Sequence, residues 1–248
     1  MPFPIIMDAA AYIDRTLTEY LGQMMGAWPF FDALILTLSS SHLAKGGVLA
    51  ALLCFTWLWQ PSAAGRGDDG QQRRNRAIIL CSLLSAAIGE VFARLLSNSL
   101  PFRLRPFLNP DLAFQAPESL MVLAPEMLAE SSFPSDHAVL FFALVAGLWL
   151  ISWRIGAVAL LYTLVFIMFP RLYLGLHYLS DLAVGAAIGV GFTLVGTWLL
   201  GRTALVRIPI GWSFTAVPLF YPAFFLFMFQ VATMLEDVRA FLHLLRTA

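Results

Sequence analysis

Residues 169 to 200 read "FPRLYLGLHYLSDLAVGAAIGVGFTLVGTWLL". From 182 to 200 the run holds no charged side chain. A bilayer core about 30 Å thick is crossed by roughly 20 apolar residues in a helix, so 181 to 200 reads as a membrane span. Gly185 and Gly189 stand four apart, the small-xxx-small spacing that lets two helices approach closely. Just before the span come Arg171, His177 and Asp181, and their spacing asks for an explanation.

The rest of the chain repeats the pattern. Of its 248 residues 60% are hydrophobic and 12% charged, a balance that belongs to a membrane protein. Strongly apolar windows of spanning length fall at approximately 44 to 60, 77 to 97, 137 to 153, 154 to 170 and 181 to 200, with Lys45, Glu90, Arg94, Arg154 and Asp181 as their charged residues. A sixth, about 215 to 235, carries Pro218 and Pro222, which should kink it or move its start. "WPFFDALILTL" at 28 to 38 is too short to cross and reads as interfacial or re-entrant. "DAAAYIDRTLTEYLGQMMG" before it reads as an amphipathic interfacial helix. The expected fold is all-α: a polytopic membrane helical bundle of about six spans with N-terminal interfacial helices. We divide it into 1 to 43 (interfacial or re-entrant helices), 44 to 236 (transmembrane domain) and 237 to 248 (a C-terminal amphipathic tail).

Charge orients this bundle. Six spans place loops at 61 to 76, around 154 and at 201 to 211 on one side, with Arg66, Arg73, Arg74, Arg76, Arg154, Arg202 and Arg207 against Asp68 and Asp69. Cationic short loops stay in the cytoplasm, so the opposite face points outward. We expect an integral protein of a bacterial inner membrane whose polar chemistry faces the periplasm or exterior. The formal net charge is zero and the longest basic cluster is "RRNR" at 73 to 76, which excludes a nucleic-acid footprint. Cys54 and Cys81 lie in apolar runs and read as packing residues. The N-terminal "MPFPIIMDAA" lacks a basic n-region and does not read as a signal peptide.

Three polar elements lie on the outward face, each beside a span. In the first, His177 and Asp181 are four apart, so on a helix a carboxylate can hold an imidazole and leave its other nitrogen basic. The second, "SSFPSDHAVLFFAL" at 131 to 144, has the chemistry of a helix N-terminus, with Ser135, Asp136 and His137 at the anion-binding end. The third, "NSLPFRLRPFL" at 98 to 108, brings Arg103 and Arg105, whose planar forks match phosphate oxygens. Each alone could be an ordinary cap or an interfacial arginine. Together they supply what phosphoryl transfer needs: cations for the equatorial oxygens, one histidine to attack phosphorus and another to move the proton. No histidine pair has zinc-like spacing, so neither metal nor cofactor is expected.

These elements resemble the signatures of the type 2 phosphatidic acid phosphatase superfamily of membrane lipid phosphatases: KxxxxxxRP, PSGH and SRxxxxxHxxxD. Here they stand as "NSLPFRLRP", "PSDH" and "PRLYLGLHYLSD", in that order, with the likeness running from about residue 44 to 200. The resemblance implies that His177 is the nucleophile forming a phosphohistidine, that Asp181 orients it and that His137 is the general acid and base. It implies that Arg105, Arg171 and Ser135, with main-chain N–H groups near Asp136 and His137, bind the phosphate, and that activity is metal-independent. Three departures stand out: Asn98 for the lysine, Asp136 for glycine and Pro170 for serine. Arg94, one turn before Asn98, or Arg103, within the motif, could replace the missing cation. Asp136 would repel a phosphate unless it caps the helix or turns away. Glu90, costly within a span, is expected to pair with Arg94.

The implied substrate is a lipid phosphate whose tail stays in the bilayer, reached beneath a lid at 107 to 133. Outward orientation favours a polyprenyl diphosphate such as undecaprenyl diphosphate. Phosphatidic acid, phosphatidylglycerol phosphate and lipid A phosphate remain open, as does phosphotransfer to a second lipid. A transporter is the non-enzyme alternative. A vanadate-dependent haloperoxidase shares the family's site, but those resemble soluble proteins and the spans argue against it. Nothing in the sequence sets the oligomeric state.

Overall fold

The computed structural model describes residues 3–59, 69–122 and 124–236. The first half of the 61 to 76 segment, the tail from 237 and with it His243 lie outside those residues. Described residues are helical or irregular, with no strand among them. Helix α1 is Phe3–Met24 and α2 is Pro29–Ser40. A third helix, α3, follows as Leu43–Leu58, bent by 69° from α2 and opening with a π-turn at Leu43–Gly47. The long helices α4 (Asp69–Ser99), α5 (Asp136–Ile151), α6 (Trp153–Tyr173) and α7 (Leu179–Leu200) form the bundle. It is completed by α8 (Ala204–Thr215) and α9 (Val217–Ala232).

Among the described residues three helices are long and apolar enough to cross a membrane: Gly70–Ser99 within α4, α6 and α7. The bent pair of α2 and α3 makes a fourth if it is one broken span, and α5 and α9 are shorter apolar helices. The six expected segments are thus all helical, but they are not six equal spans. Residues 69 to 76 were expected in a loop, yet they form the first two turns of α4. Arg76 is buried there, donating to Ser213 Oγ at 2.7 Å and lying 5.1 Å from the Trp57 ring and 4.2 Å from that of Phe214. Residues 204 to 211, also expected in a loop, belong to α8, with Pro209 inside it. Pro218 falls in the first turn of α9, where a missing N–H costs nothing, so it fixes that helix's start.

The centre is α5. Its 16 residues span about 24 Å at ~1.5 Å per residue. The helix is apolar on every side because α4, α6 and α7 surround it, and the run Ala138 to Leu148 is buried but for Phe142. Such close packing needs small residues at the crossings. A Cβ on Gly189 would collide with the Val139 carbonyl oxygen, and one on Gly185 would lie 2.5 Å from that of Ser135. Thr193 Oγ1 donates across the same contact to the Ala143 carbonyl at 2.9 Å. The glycine pair in the opening stretch is therefore the seam between α7 and α5. A second apolar core, of Leu21, Ile35, Phe107, Leu120, Tyr173 and Leu176 among others, joins α1 and α2 to the polar end of the bundle.

Overpacking typically costs 1 to 3 kcal/mol, roughly that expected for Gly189→Val, seen as a lower thermal unfolding midpoint in detergent. Gly191→Ala should not lower it, since nothing lies within 4 Å of a Cβ there.

Candidate active site

The three polar elements meet at one end of the bundle, where α4 and α6 finish and α5 and α7 begin. Main-chain bonds stitch them together: Phe107 N to the Gly175 carbonyl at 3.0 Å, Ser132 N to that of Arg103 at 2.9 Å, and Ser135 N to that of Asp181 at 3.2 Å. Gly175 makes the sharpest turn. Its φ of +62° lets the chain reverse after α6, and an added Cβ would meet the Phe114 ring at 2.8 Å. Leu176 N then donates back to the Arg171 carbonyl at 2.9 Å, which brings His177 beneath Arg105.

His177 is 4% exposed. Its Nδ1 lies 2.8 Å from the Ser132 carbonyl. A carbonyl oxygen only accepts, so Nδ1 carries the proton and Nε2 keeps its lone pair. Arg105 Nη1 sits 3.3 Å from that Nε2 and donates to the Leu176 carbonyl at 3.0 Å. Asp181 Oδ2 stands 3.8 Å from Nδ1, beyond hydrogen-bond reach. It accepts instead from Tyr178 N at 2.8 Å, closing the first turn of α7. In this arrangement the Ser132 carbonyl holds His177 directly, while the Asp181 carboxylate stands beside it and closes the helix start. Burial, reinforced by Arg105, holds the His177 imidazole below its usual pKa, against the upward pull of Asp181 and Asp136. Burial likewise lowers the Arg105 guanidinium, while Asp136, Glu130 and Asp181 counter it.

His137 Nδ1 lies 2.9 Å from Asp136 Oδ1, and its Nε2 contacts Arg171 Nη2, which also donates to the Ser39 carbonyl at 3.3 Å. Ser135, fully buried, is the N-cap of α5 and accepts from Ala138 N at 3.4 Å. Asp136 itself does not supply the N-cap. One carboxylate oxygen holds His137 and the other takes Arg94 Nη2 at 3.0 Å, so the extra negative charge is matched locally.

The two candidates for the missing cation separate clearly. Arg94 faces the cluster, reaching Asp136 and, at 3.2 Å, Glu130. Arg103 does not serve as a free phosphate donor: its Nη1 bonds Ser180 Oγ at 2.9 Å and Asp181 Oδ1, its Nη2 bonds Asp14 at 2.8 Å, and it lies 3.9 Å above the Tyr178 ring. Asn98 is exposed near the end of α4. Buried Glu90 contributes charge toward Arg94, but the hydrogen-bond partners of Arg94 are Asp136 and Glu130. Ser39, Ser132, Glu130 and Asp14 went unnoticed in the sequence; only Ser132 and Glu130, beside the second motif, had a local signal.

Asp136, His137 and His177 place ligand atoms within 4.8 Å of one another, a grouping that spacing along the chain does not reveal. Two guanidiniums reach the same imidazoles, and buried Arg105 Nε, Arg171 Nε and Ser132 Oγ have no hydrogen-bond partner among the described residues. That donor set suits an anion rather than a cation.

A family description, PAP2 superfamily, matches residues 76–204, which covers all three motifs. The chain belongs to the PAP2 superfamily. The family is one of membrane lipid phosphatases. The bacitracin transport permease protein BcrC of Bacillus licheniformis is 24% identical over 138 residues, 54% of this chain and 61% of that protein. The match thus spans about three-fifths of the relative's length. No solved structure matches significantly.

Because Arg94 carries its charge beside Asp136 and the two histidines, Arg94→Ala should lower turnover of a lipid phosphate about tenfold or more, on the scale of losing one charge-stabilising donor. Asn98→Lys should leave it within about twofold of wild type. Steady-state phosphate release from the two variants checks both.

Proposed function

We propose that the chain is an integral membrane lipid phosphatase acting through a phosphohistidine on His177, with a polyprenyl diphosphate such as undecaprenyl diphosphate as its preferred substrate. The observation that carries this reading is the tautomer of His177: the proton is held on Nδ1 by the Ser132 carbonyl, and the Nε2 lone pair points at an arginine-lined anion site.

In this mechanism Arg105, Arg171 and the hydroxyl of Ser135 take the phosphate oxygens, with Arg94 adding charge from the side. His177 Nε2 attacks phosphorus as the bond to the leaving oxygen breaks. His137, loaded with a proton, delivers it to that oxygen, and Asp136 is placed to support the resulting charge change. His137 then takes a proton from water as the water attacks the phosphohistidine, releasing inorganic phosphate and free His177. Neither step requires a metal.

Orientation supports the choice of lipid. Arg73, Arg74, Arg154, Arg202 and Arg207 occupy the end of the bundle opposite to the site, so positive-inside placement turns the site outward. The segment at 107 to 133 forms short helical turns, Glu118–Met121 and Ala124–Leu128, and exposes Met121, Val122 and Leu128, side chains suited to an interfacial lid. Phosphatidic acid, phosphatidylglycerol phosphate and lipid A phosphate are the alternative substrates, and a second lipid could replace water as acceptor. The name of the relative, a transport permease, favours a second reading as a transporter, which would move a lipid or drug without releasing phosphate.

Phosphate release in detergent micelles with excess EDTA decides among these. Wild type should release phosphate, faster from a polyprenyl diphosphate than from phosphatidic acid, and His177→Ala should abolish it. Because only neutral His177 attacks and its pKa is lowered, the acid limb of kcat/KM should lie below about 6.5, the ordinary histidine value. Release that survives His177→Ala contradicts the mechanism, and transport without release favours the permease reading.

A further inference from the structure

Asp14 lies on α1, the N-terminal helix, outside the residues that match the family. It is 3% exposed, whereas its neighbours Tyr12 and Ile13 are 71% and 51% exposed. A buried carboxylate is costly unless paired and hydrogen-bonded, and this one is tied on both sides. Oδ1 accepts from Ser180 N at 2.9 Å; Oδ2 accepts from Arg103 Nη2 at 2.8 Å and from the Ser180 hydroxyl. Ser180 and Asp181 are in the first turn of α7, immediately after His177.

The arginine completes the arrangement. Arg103 divides its terminal nitrogens between two carboxylates, Nη2 to Asp14 and Nη1 to Asp181, with its guanidinium over Tyr178. Its main-chain carbonyl accepts from Ser132 N, and the Ser132 carbonyl is the group that holds His177 Nδ1. Asp14, Arg103, Ser132 and His177 therefore form one connected chain of bonds, and a second path runs from Asp14 through Ser180 to the start of α7. The apolar core that includes Leu21 of α1 and Met25 just beyond it, with Leu174 and Leu176, holds the helix against the same turn.

We propose that Asp14 is a positioning residue of the active site, by which the N-terminal helix fixes Arg103 and the 177 to 181 turn so that His177 stays aimed at phosphorus. The assignment rests on the reading of His177 as nucleophile. Asp14 touches neither the substrate nor the reacting atoms, and the phosphate donors Arg105 and Arg171 do not depend on it. Its loss should therefore act on the chemical step and leave binding alone. A merely structural anchor for α1 would instead change the amount of folded protein without this selectivity.

The test compares purified full-length Asp14→Asn, Arg103→Met, the double variant and wild type, with Arg15→Ala as a control, since Arg15 is exposed and pairs with Glu19 on the same helix. Asp14→Asn should reduce kcat about tenfold while KM stays within about twofold, and the double variant should lose less than the product of the two single losses, the signature of a shared interaction, with the Ser180 bonds accounting for the remainder. Arg15→Ala should behave as wild type. Unchanged kcat in Asp14→Asn, a loss confined to KM, or losses that multiply in the double variant would overturn the proposal. Absence of phosphate release from wild type would count against the phosphatase reading itself. The clamp is then judged by thermal unfolding of the same proteins: a double variant that loses less stability than the sum of the single losses supports it, and additive destabilisation overturns it.

Discussion

Two arginines, Arg105 and Arg171, are buried against two histidines at the end of a largely apolar bundle. Burying like charges together is unfavourable unless dipoles and carboxylates surround them. Much of the local structure meets that demand. The carbonyls of Leu176 and Ser39 face the guanidiniums, and Asp136, Glu130 and Asp181 add negative charge near Arg105. The requirement explains why α2 stops where it does. Its penultimate residue, Ser39, gives its carbonyl to Arg171, and the 69° bend then turns α3 away. It also accounts for the extra carboxylate: Asp136 stands beside His137 and Arg94, so it is countered in place.

The helical bundle was legible in the sequence because bilayer thickness converts directly into a length of apolar chain, and five strongly apolar windows stand out by that measure. The two misread segments had the opposite character. Residues 69 to 76 are rich in charge and amide, yet a helix continues through them because Arg76 finds aromatic faces from Trp57 and Phe214. Residues 204 to 211 carry Arg207 and Pro209, local signals for a loop, and packing of α8 against α4 and α9 overrides them.

The site divides in the same way. Arg105, Arg171, His137, His177 and Ser135 were identifiable because their motifs encode local turns: a proline after Arg105, a helix N-cap at Ser135 and a left-handed glycine between Arg171 and His177. Their partners were not. The Ser132 carbonyl, the Ser39 carbonyl and Asp14 reach the site only through tertiary approach, and main-chain carbonyls leave no residue-specific trace. Arg103 looked like a phosphate ligand because it lies inside a motif, and only the fold reveals its two carboxylate partners.

The most direct test of the account is to trap the covalent intermediate. Wild-type protein mixed with a polyprenyl diphosphate labelled in its terminal phosphate, quenched within a turnover and digested at alkaline pH, should yield one acid-labile, base-stable labelled peptide. Mass spectrometry should place the phosphate on His177. Label on another residue, or turnover of the lipid without any labelled peptide under conditions that preserve phosphohistidine, would contradict it.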